Sequence, residues 1–222
     1  MKKIDTHVHT SEVSPCGKLT AAQIVDSYVA AGYDAIIITD HLLLDRIFEA
    51  QLAPEDVFER QLRGYVAARE HARGRLNVLL GAEIRFTQGS EDYLLLGLDE
   101  RKYLELARAL PDSPAECHAL MRRMDCLIYQ AHPFRPGLRA AAPADLDGVE
   151  VYNGNPRHDS HNDLALRFAA DNGLRMSSGS DAHQTPDIAR GGIFAPDWVD
   201  SGAALARFLR ETPRPDMITT QD

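Results

Sequence analysis

A chain of 222 residues, 44 % hydrophobic and 26 % charged, carries enough apolar material for a large core and reads as one domain over 1–222. Its formal net charge of −9 argues against a general electrostatic grip on nucleic acid or an acidic membrane. Cys16, Cys117 and Cys126 form no C-x-x-C pair and no even disulfide framework, no apolar run approaches the roughly 20 residues of a membrane span, and Met1-Lys2-Lys3 leads straight into a polar strand rather than a signal peptide. A cytoplasmic protein is expected.

Lys2 to Thr10 alternates Ile4, Thr6 and Val8 with Asp5, His7 and His9, the period of a strand. Residues two apart share a face, which places His7 and His9 side by side at the strand's end, with Asp5 on the same parity. The turn-rich loop Ser11 to Gly17 leads to a helix over 19–31, with Thr20 as N-cap and Gly32 as its stop. Ala35 to Thr39 is a short apolar run suited to a strand buried on both faces, and it ends in Asp40-His41. Residues 54–73 have helical spacing, opened by Pro54-Glu55-Asp56.

Strands are then expected at 77–86, with Glu83 near the end, and at 92–98. Helices follow at 100–110 and 114–124. A strand at 126–131 ends in His132-Pro133-Phe134-Arg135, and another at 148–152 ends in Asn153-Gly154-Asn155. A helix over 159–172 leads to a strand over 174–178 that ends in Gly179-Ser180-Asp181-Ala182-His183. A short strand at 191–194 and a helix at 201–210 precede a tail that is either disordered or a cap on the barrel.

Six or seven strands alternating with helices predict a mostly parallel sheet. Polar residues recur at the strand C-termini: His7 and His9, Asp40 and His41, Glu83, His132, Asn153, Asp181 and His183. An α/β barrel gathers every such end at one mouth, whereas an open sheet gathers only those near its switch point, so a barrel is expected. No G-x-G-x-x-G or P-loop motif indicates a nucleotide fold. Five histidines with Glu83 and Asp181 suit Zn, Mn or Fe better than an all-oxygen Mg or Ca site. Seven ligands exceed one tetrahedral ion, so two or three metals are expected, bridged by a carboxylate. Clustered metals generate hydroxide at neutral pH and clamp a phosphoryl displacement, which makes metal-assisted hydrolysis the expected reaction class. His7, His9, Glu83 and Asp181 are its central residues. Asp40 is expected to orient its neighbours rather than to ligate. Arg135 and Arg157 are candidate phosphate contacts, because guanidinium grips phosphate through paired hydrogen bonds.

The motifs Asp5-Thr6-His7-Val8-His9-Thr10, Thr39-Asp40-His41, Gly81-Ala82-Glu83, Ala131-His132-Pro133 and Gly179-Ser180-Asp181-Ala182-His183 resemble, in order, those of the polymerase-and-histidinol-phosphatase (PHP) superfamily. The resemblance implies a distorted (β/α)7 TIM-like barrel with up to three metals at its mouth. By motif, His7, His9, Glu83 and Asp181 would hold one metal, Glu83 and His132 a second, and His41 and His183 a third. The family's first loop usually supplies an Asp or His ligand, and here Cys16 and Glu12 are the residues open to that role. The resemblance further implies a small phosphorylated substrate, with histidinol phosphate as one example. Alternatives are a phosphodiesterase or 3′ exonuclease, which needs a basic groove, a C–N amidohydrolase on the same metal site, and a non-catalytic metal-stabilised interaction module.

Overall fold

The computed structural model describes residues 1–220. The first unit is β1 (Lys2–Val8), α1 (Ala21–Ala30) and β2 (Ala35–Ile38), with β1 and β2 parallel. Thr20 caps α1 through a reciprocal pair with Gln23, as its position predicts. The chain then forms β3 (His41–Leu43), α2 (Leu44–Glu49), α3 (Pro54–Gln61), α4 (Arg63–Ala72) and β4 (Asn77–Arg85). Both β2 and β3 pair in parallel with β4. The single helix expected over 54–73 is two, broken at Leu62, and β3 and α2 had no counterpart in the sequence reading.

After β5 (Asp92–Leu98), α5 (Glu100–Ala109), α6 (Pro114–Arg123), β6 (Leu127–Gln130), β7 (Gly148–Asn153), α7 (Asn162–Asp171) and β8 (Arg175–Gly179) come β9 (Gly191–Ala195), α8 (Gly202–Glu211) and β10 (Met217–Thr219). The sheet order is β10-β9-β1-β2-β4-β5-β6-β7-β8, with β3 also on β4. The described residues thus hold ten strands, more than the six or seven expected. β5 runs antiparallel to β4, because the 86–91 connection is too short for a parallel crossover, and it is antiparallel to β6 as well. β9 is antiparallel to β1 and to β10. The tail therefore ends as an edge strand, and Gln221 and Asp222 lie outside the described residues.

The sheet curls until the end of β8 meets β1. A parallel bridge joins Val8 to Ala182, His9 N donates to Ala182 O at 3.0 Å, and Thr6 Oγ1 donates to Ser178 O at 2.9 Å. The result is a nearly closed α/β barrel. Leu205, Phe208 and Leu209 of α8 share an apolar cluster with Ile4, Ile37, Leu94 and Leu127. Asn77 and Lys2, which begin β4 and β1, reach Asp200 O and Val199 O, so α8 covers the end where the parallel strands start. Their C-terminal ends form the other mouth. Reversal of β5 puts its first residue, Asp92, at that same mouth. Among the described residues no helix is long and apolar enough to cross a membrane.

Candidate metal centre

His7, His9, Glu83 and Asp181 lie at the C-terminal mouth with His132, His41 and His183, brought there by β1, β3, β4 and the segments after β6 and β8. His7 and His9 are fully buried, and their rings lie 5.0 Å apart. Asp5 is elsewhere: the pairing of β1 with β2 shifts register between Asp5 and Val8, and Asp5 accepts from Tyr28 Oη at 2.7 Å, Ser180 N at 3.0 Å and Ser180 Oγ. The shift accounts for the failure of the simple parity rule. Burial pushes the Asp5 carboxyl up to about 6, against the hydrogen bonds it accepts.

Glu83 is the hub. Its Oε1 is 3.2 Å from His7 Nε2 and 3.2 Å from His132 Nε2, and its Oε2 is 3.3 Å from His9 Nε2 and 2.9 Å from His41 Nδ1. Asp181 Oδ1 lies 3.5 Å from both His7 Nε2 and His9 Nε2, and 3.3 Å from His183 Nδ1. Despite these separations, His7 Nε2, His9 Nε2, His41 Nδ1 and Glu83 Oε2 are buried without a hydrogen bond. Buried polar atoms are ordinarily paired. Atoms that approach closely yet do not point at one another share a common centre instead. Ligands about 2.1 Å from a tetrahedral ion stand about 3.4 Å apart, which matches these edges. Four overlapping sets fit metal binding: His7, His9 and Asp181; His7, Glu83 and His132; His9, His41 and His183; and His41, Glu83 and Asp92.

Neighbouring groups set the tautomers. Glu150, fully buried on β7, accepts from His7 Nδ1 at 2.8 Å, from His132 N at 3.1 Å and from Asn153 Nδ2 at 2.9 Å. His7 therefore commits Nδ1 to Glu150 and turns Nε2 inward. Ser14 Oγ donates to Asp40 at 2.7 Å, so it accepts from His9 Nδ1 at 3.2 Å and from His41 N at 3.1 Å. His183 Nδ1 donates to Asp181 O at 2.9 Å. Asp40 also accepts from Thr10 N and Thr10 Oγ1, each at 2.7 Å, which is the orienting part expected of it. His132 and Asp181 both have left-handed backbone, φ 30° and 51°, a strained conformation concentrated at functional sites.

Burial opposes every charge here; at His9 it wins, with the charges of His183 and His41, and holds the imidazole well below its usual value, whereas at His7, Glu83 and Asp181 opposite charges outweigh it. Burial lowers the His7 imidazole, yet Glu150, Glu83 and Asp181 hold it well above its usual value. Burial raises Glu83, yet His7 and His41 hold it well below the carboxylate range. Asp181 is held down in the same way, chiefly by His7. Cys16 is brought to about 6: burial raises it, but hydrogen bonds with His183 and His41 more than compensate. Cys16 thus stands with the third histidine group. Glu12 does not, because both its oxygens accept from Ala21 N at 3.0 Å.

Arg135 Nη2 donates to Asp181 Oδ2 at 2.8 Å and to Asn153 Oδ1 at 3.2 Å, while its Nε is buried and unpartnered. Arg157 sits farther back, paired through Nε and Nη2 with Asp187 at 3.2 and 2.8 Å, and Asp187 also accepts from His183 N. The sequence reading missed Glu150, Ser14 and Asp92. Only Glu150 carried a usable signal, an acid inside an otherwise apolar strand, the same signal that marks Glu83.

A family profile described as the PHP domain matches residues 5–178, and a second, described as PHP-associated, matches residues 159–212. The chain belongs to the PHP family. An uncharacterized protein of Methanocaldococcus jannaschii is 28 % identical over 179 residues, 74 % of this chain and 89 % of that one. The histidinol-phosphatase of Bacillus subtilis is 24 % identical over 160 residues, 68 % of this chain and 58 % of the enzyme. Among solved structures, a two-domain protein from Bacteroides vulgatus containing a predicted PHP-like metal-dependent phosphoesterase superposes with a TM-score of 0.65 at 20 % identity. The match covers 92 % of this chain and 62 % of that protein. A lesion-specific endonuclease of Pyrococcus furiosus gives 0.60 at 17 % identity, over 90 % of this chain and 54 % of its own. The chain thus spans 58 % of the histidinol-phosphatase, 62 % of the two-domain protein and 54 % of the endonuclease. The barrel is the TIM-like barrel of the PHP type.

Proposed function

We propose that this PHP-family chain is a metal-dependent phosphoesterase that hydrolyses small phosphate monoesters, the class to which histidinol phosphate belongs, within a single domain spanning 1–222. The observation that carries the reading is the Glu83 carboxylate, 2.9–3.3 Å from four histidine nitrogens, with the inward-facing atoms unsatisfied. We assign two or three divalent ions, drawn from Zn, Mn and Fe, to this donor set. His7, His9, Glu83 and Asp181 would hold one; Glu83 and His132 would hold a second; His41 and His183 would hold a third, with Cys16 beside them. Bound there, the ions supply Lewis acidity and an activated water.

The chain's own residues do the rest. Glu150 and the Ser14–Asp40 pair keep His7 and His9 in the ligating tautomer. Arg135, at the mouth with an unused Nε donor, orients the phosphate. Arg157 is assigned a substrate contact from the wall of a cavity of about 420 Å³ that it lines with Asn155 and His158, with Asp187 holding it from behind. The free thiols Cys16, Cys117 and Cys126 fit work in a reducing compartment, the cytoplasm. The net charge of −9 favours a small substrate over nucleic acid.

The test is phosphate release from a panel of small phosphomonoesters with Mn²⁺, beside a chelator control and the Asp181→Asn variant. Release that disappears in both controls supports the reading. Metal-loaded protein that releases nothing from any monoester sinks it and moves attention to phosphodiesters, nucleic-acid ends and amides.

A further inference from the structure

A second cavity, of about 200 Å³, opens beside the metal centre, and His41 belongs to both. Its wall comes from the segment that the sequence left unassigned, α2 and its flanks, together with the ends of α3 and α4. Arg46, Arg60 and Arg63 line it. None of their guanidinium groups enters a hydrogen bond or ion pair among the described residues. Some exposed arginines find carboxylates, as Arg69 does with Glu100, Arg75 with Asp26, Arg108 with Glu55 and Arg207 with Glu211; Arg46, Arg60 and Arg63 instead share the wall of one cavity. In a chain of net charge −9, three unpaired arginines around one small cavity are a concentrated positive field. Glu12, the one carboxylate in that wall, is committed to Ala21 N. Ile47 and Val57 are buried in the same wall, and the three exposed arginines stand around them.

We propose that this cavity seats a second anionic group of the substrate, so that the enzyme selects phosphate esters whose leaving group carries its own phosphate or carboxylate. The inference rests on the phosphoesterase reading and narrows it. The scissile phosphate sits at the metal centre, the leaving group passes His41, and its distal anion meets Arg46, Arg60 and Arg63. Guanidinium groups bind such oxyanions through charge-assisted hydrogen bonds. A cationic leaving group, such as an amino alcohol, meets like charge and is rejected, so within the monoester class the inference turns away from histidinol phosphate itself.

The test compares kcat/KM of the Mn²⁺-loaded protein for propane-1,3-diol bisphosphate, 4-phosphooxybutyrate, n-propyl phosphate and 3-aminopropyl phosphate. The better bis-anion is expected to exceed propyl phosphate by roughly 100-fold, with the aminopropyl ester last. The ranking of the two bis-anions shows whether the cavity takes phosphate or carboxylate. In the triple variant Arg46→Gln, Arg60→Gln, Arg63→Gln the preference falls to within a few-fold, and the single Arg60→Gln variant gives a partial loss if the triple variant folds poorly. Equal kcat/KM for the charged and neutral esters, or a preference that survives the triple variant, overturns the inference while leaving the phosphoesterase reading intact. Calorimetric binding of propane-1,3-bisphosphonate against propylphosphonate separates the two from the other side. Arginine-dependent preference for the bisphosphonate in protein that hydrolyses no ester keeps the anion site and removes the phosphoesterase. No preference in binding removes the anion site.

Discussion

Glu150 Oε1 lies 2.8 Å from His7 Nδ1, with both side chains fully buried. The pair comes from β7 and β1, 143 residues apart in sequence, and it fixes which nitrogen of His7 faces the metal centre. Glu150→Gln removes the charge while keeping the shape. It is expected to weaken metal binding by roughly 10- to 100-fold, read by competition titration with a chromophoric chelator. Unchanged affinity in a folded variant would show that the pair is structural only.

Close approach is the requirement at Gly64. A methyl group there overlaps Thr10 Oγ1 and Asp40 Oδ2, and Asp40 holds Ser14 and through it His9. Gly64→Ala is expected to cost about 1–3 kcal/mol of stability and to weaken metal binding as well. Chemical denaturation and the same chelator titration measure the two effects. A variant that loses stability but binds metal as before would mean that helix α4 absorbs the shift without disturbing Asp40.

Cys16 is the reactive thiol. Its value near 6 contrasts with Cys117 at about 12 and Cys126 at about 11, both raised by burial. The metal-free protein at pH 7 is expected to take up one iodoacetamide at Cys16, checked by peptide mass spectrometry. Because this value is depressed, the thiolate is present above it, and the rate falls as pH drops through about 6. If Cys16 ligates, stoichiometric Zn²⁺ abolishes the reaction; full reactivity in Zn²⁺-loaded protein would exclude it as a ligand.

Arg135 and Arg157 separate by kinetics. Arg135 touches Asp181 and Asn153 through Nη2 and keeps Nε as a second donor, which lysine lacks. Arg135→Lys is expected to raise KM for a phosphomonoester by roughly 10- to 100-fold, and Arg157→Lys, at a site already paired with Asp187, by less. A larger effect at Arg157 would reverse their assignment.

The chemistry of the mouth was legible along the chain because it is written locally. Apolar runs that end in His, Asp or Glu mark strand C-termini, and a barrel must bring such ends together. That logic located His7, His9, His41, Glu83, His132, Asp181 and His183, and the Thr20 cap of α1, without any knowledge of contacts.

Tertiary structure decided what local pattern does not encode. The reversal of β5, which brings Asp92 to the mouth, follows from which strands pair. The departure of Asp5 follows from a register shift against β2, which no alternation in β1 foretells. Glu12 is spent on the N-terminus of α1, and Glu150 becomes the partner of His7 only once β1 and β7 curl into one barrel. The three unpaired arginines share one cavity only because α2 packs beside the ends of α3 and α4. Local sequence sets the conformation of each segment through backbone sterics and burial periodicity. The partners of a buried charge are set by long-range packing, where desolvation makes any unmet group costly.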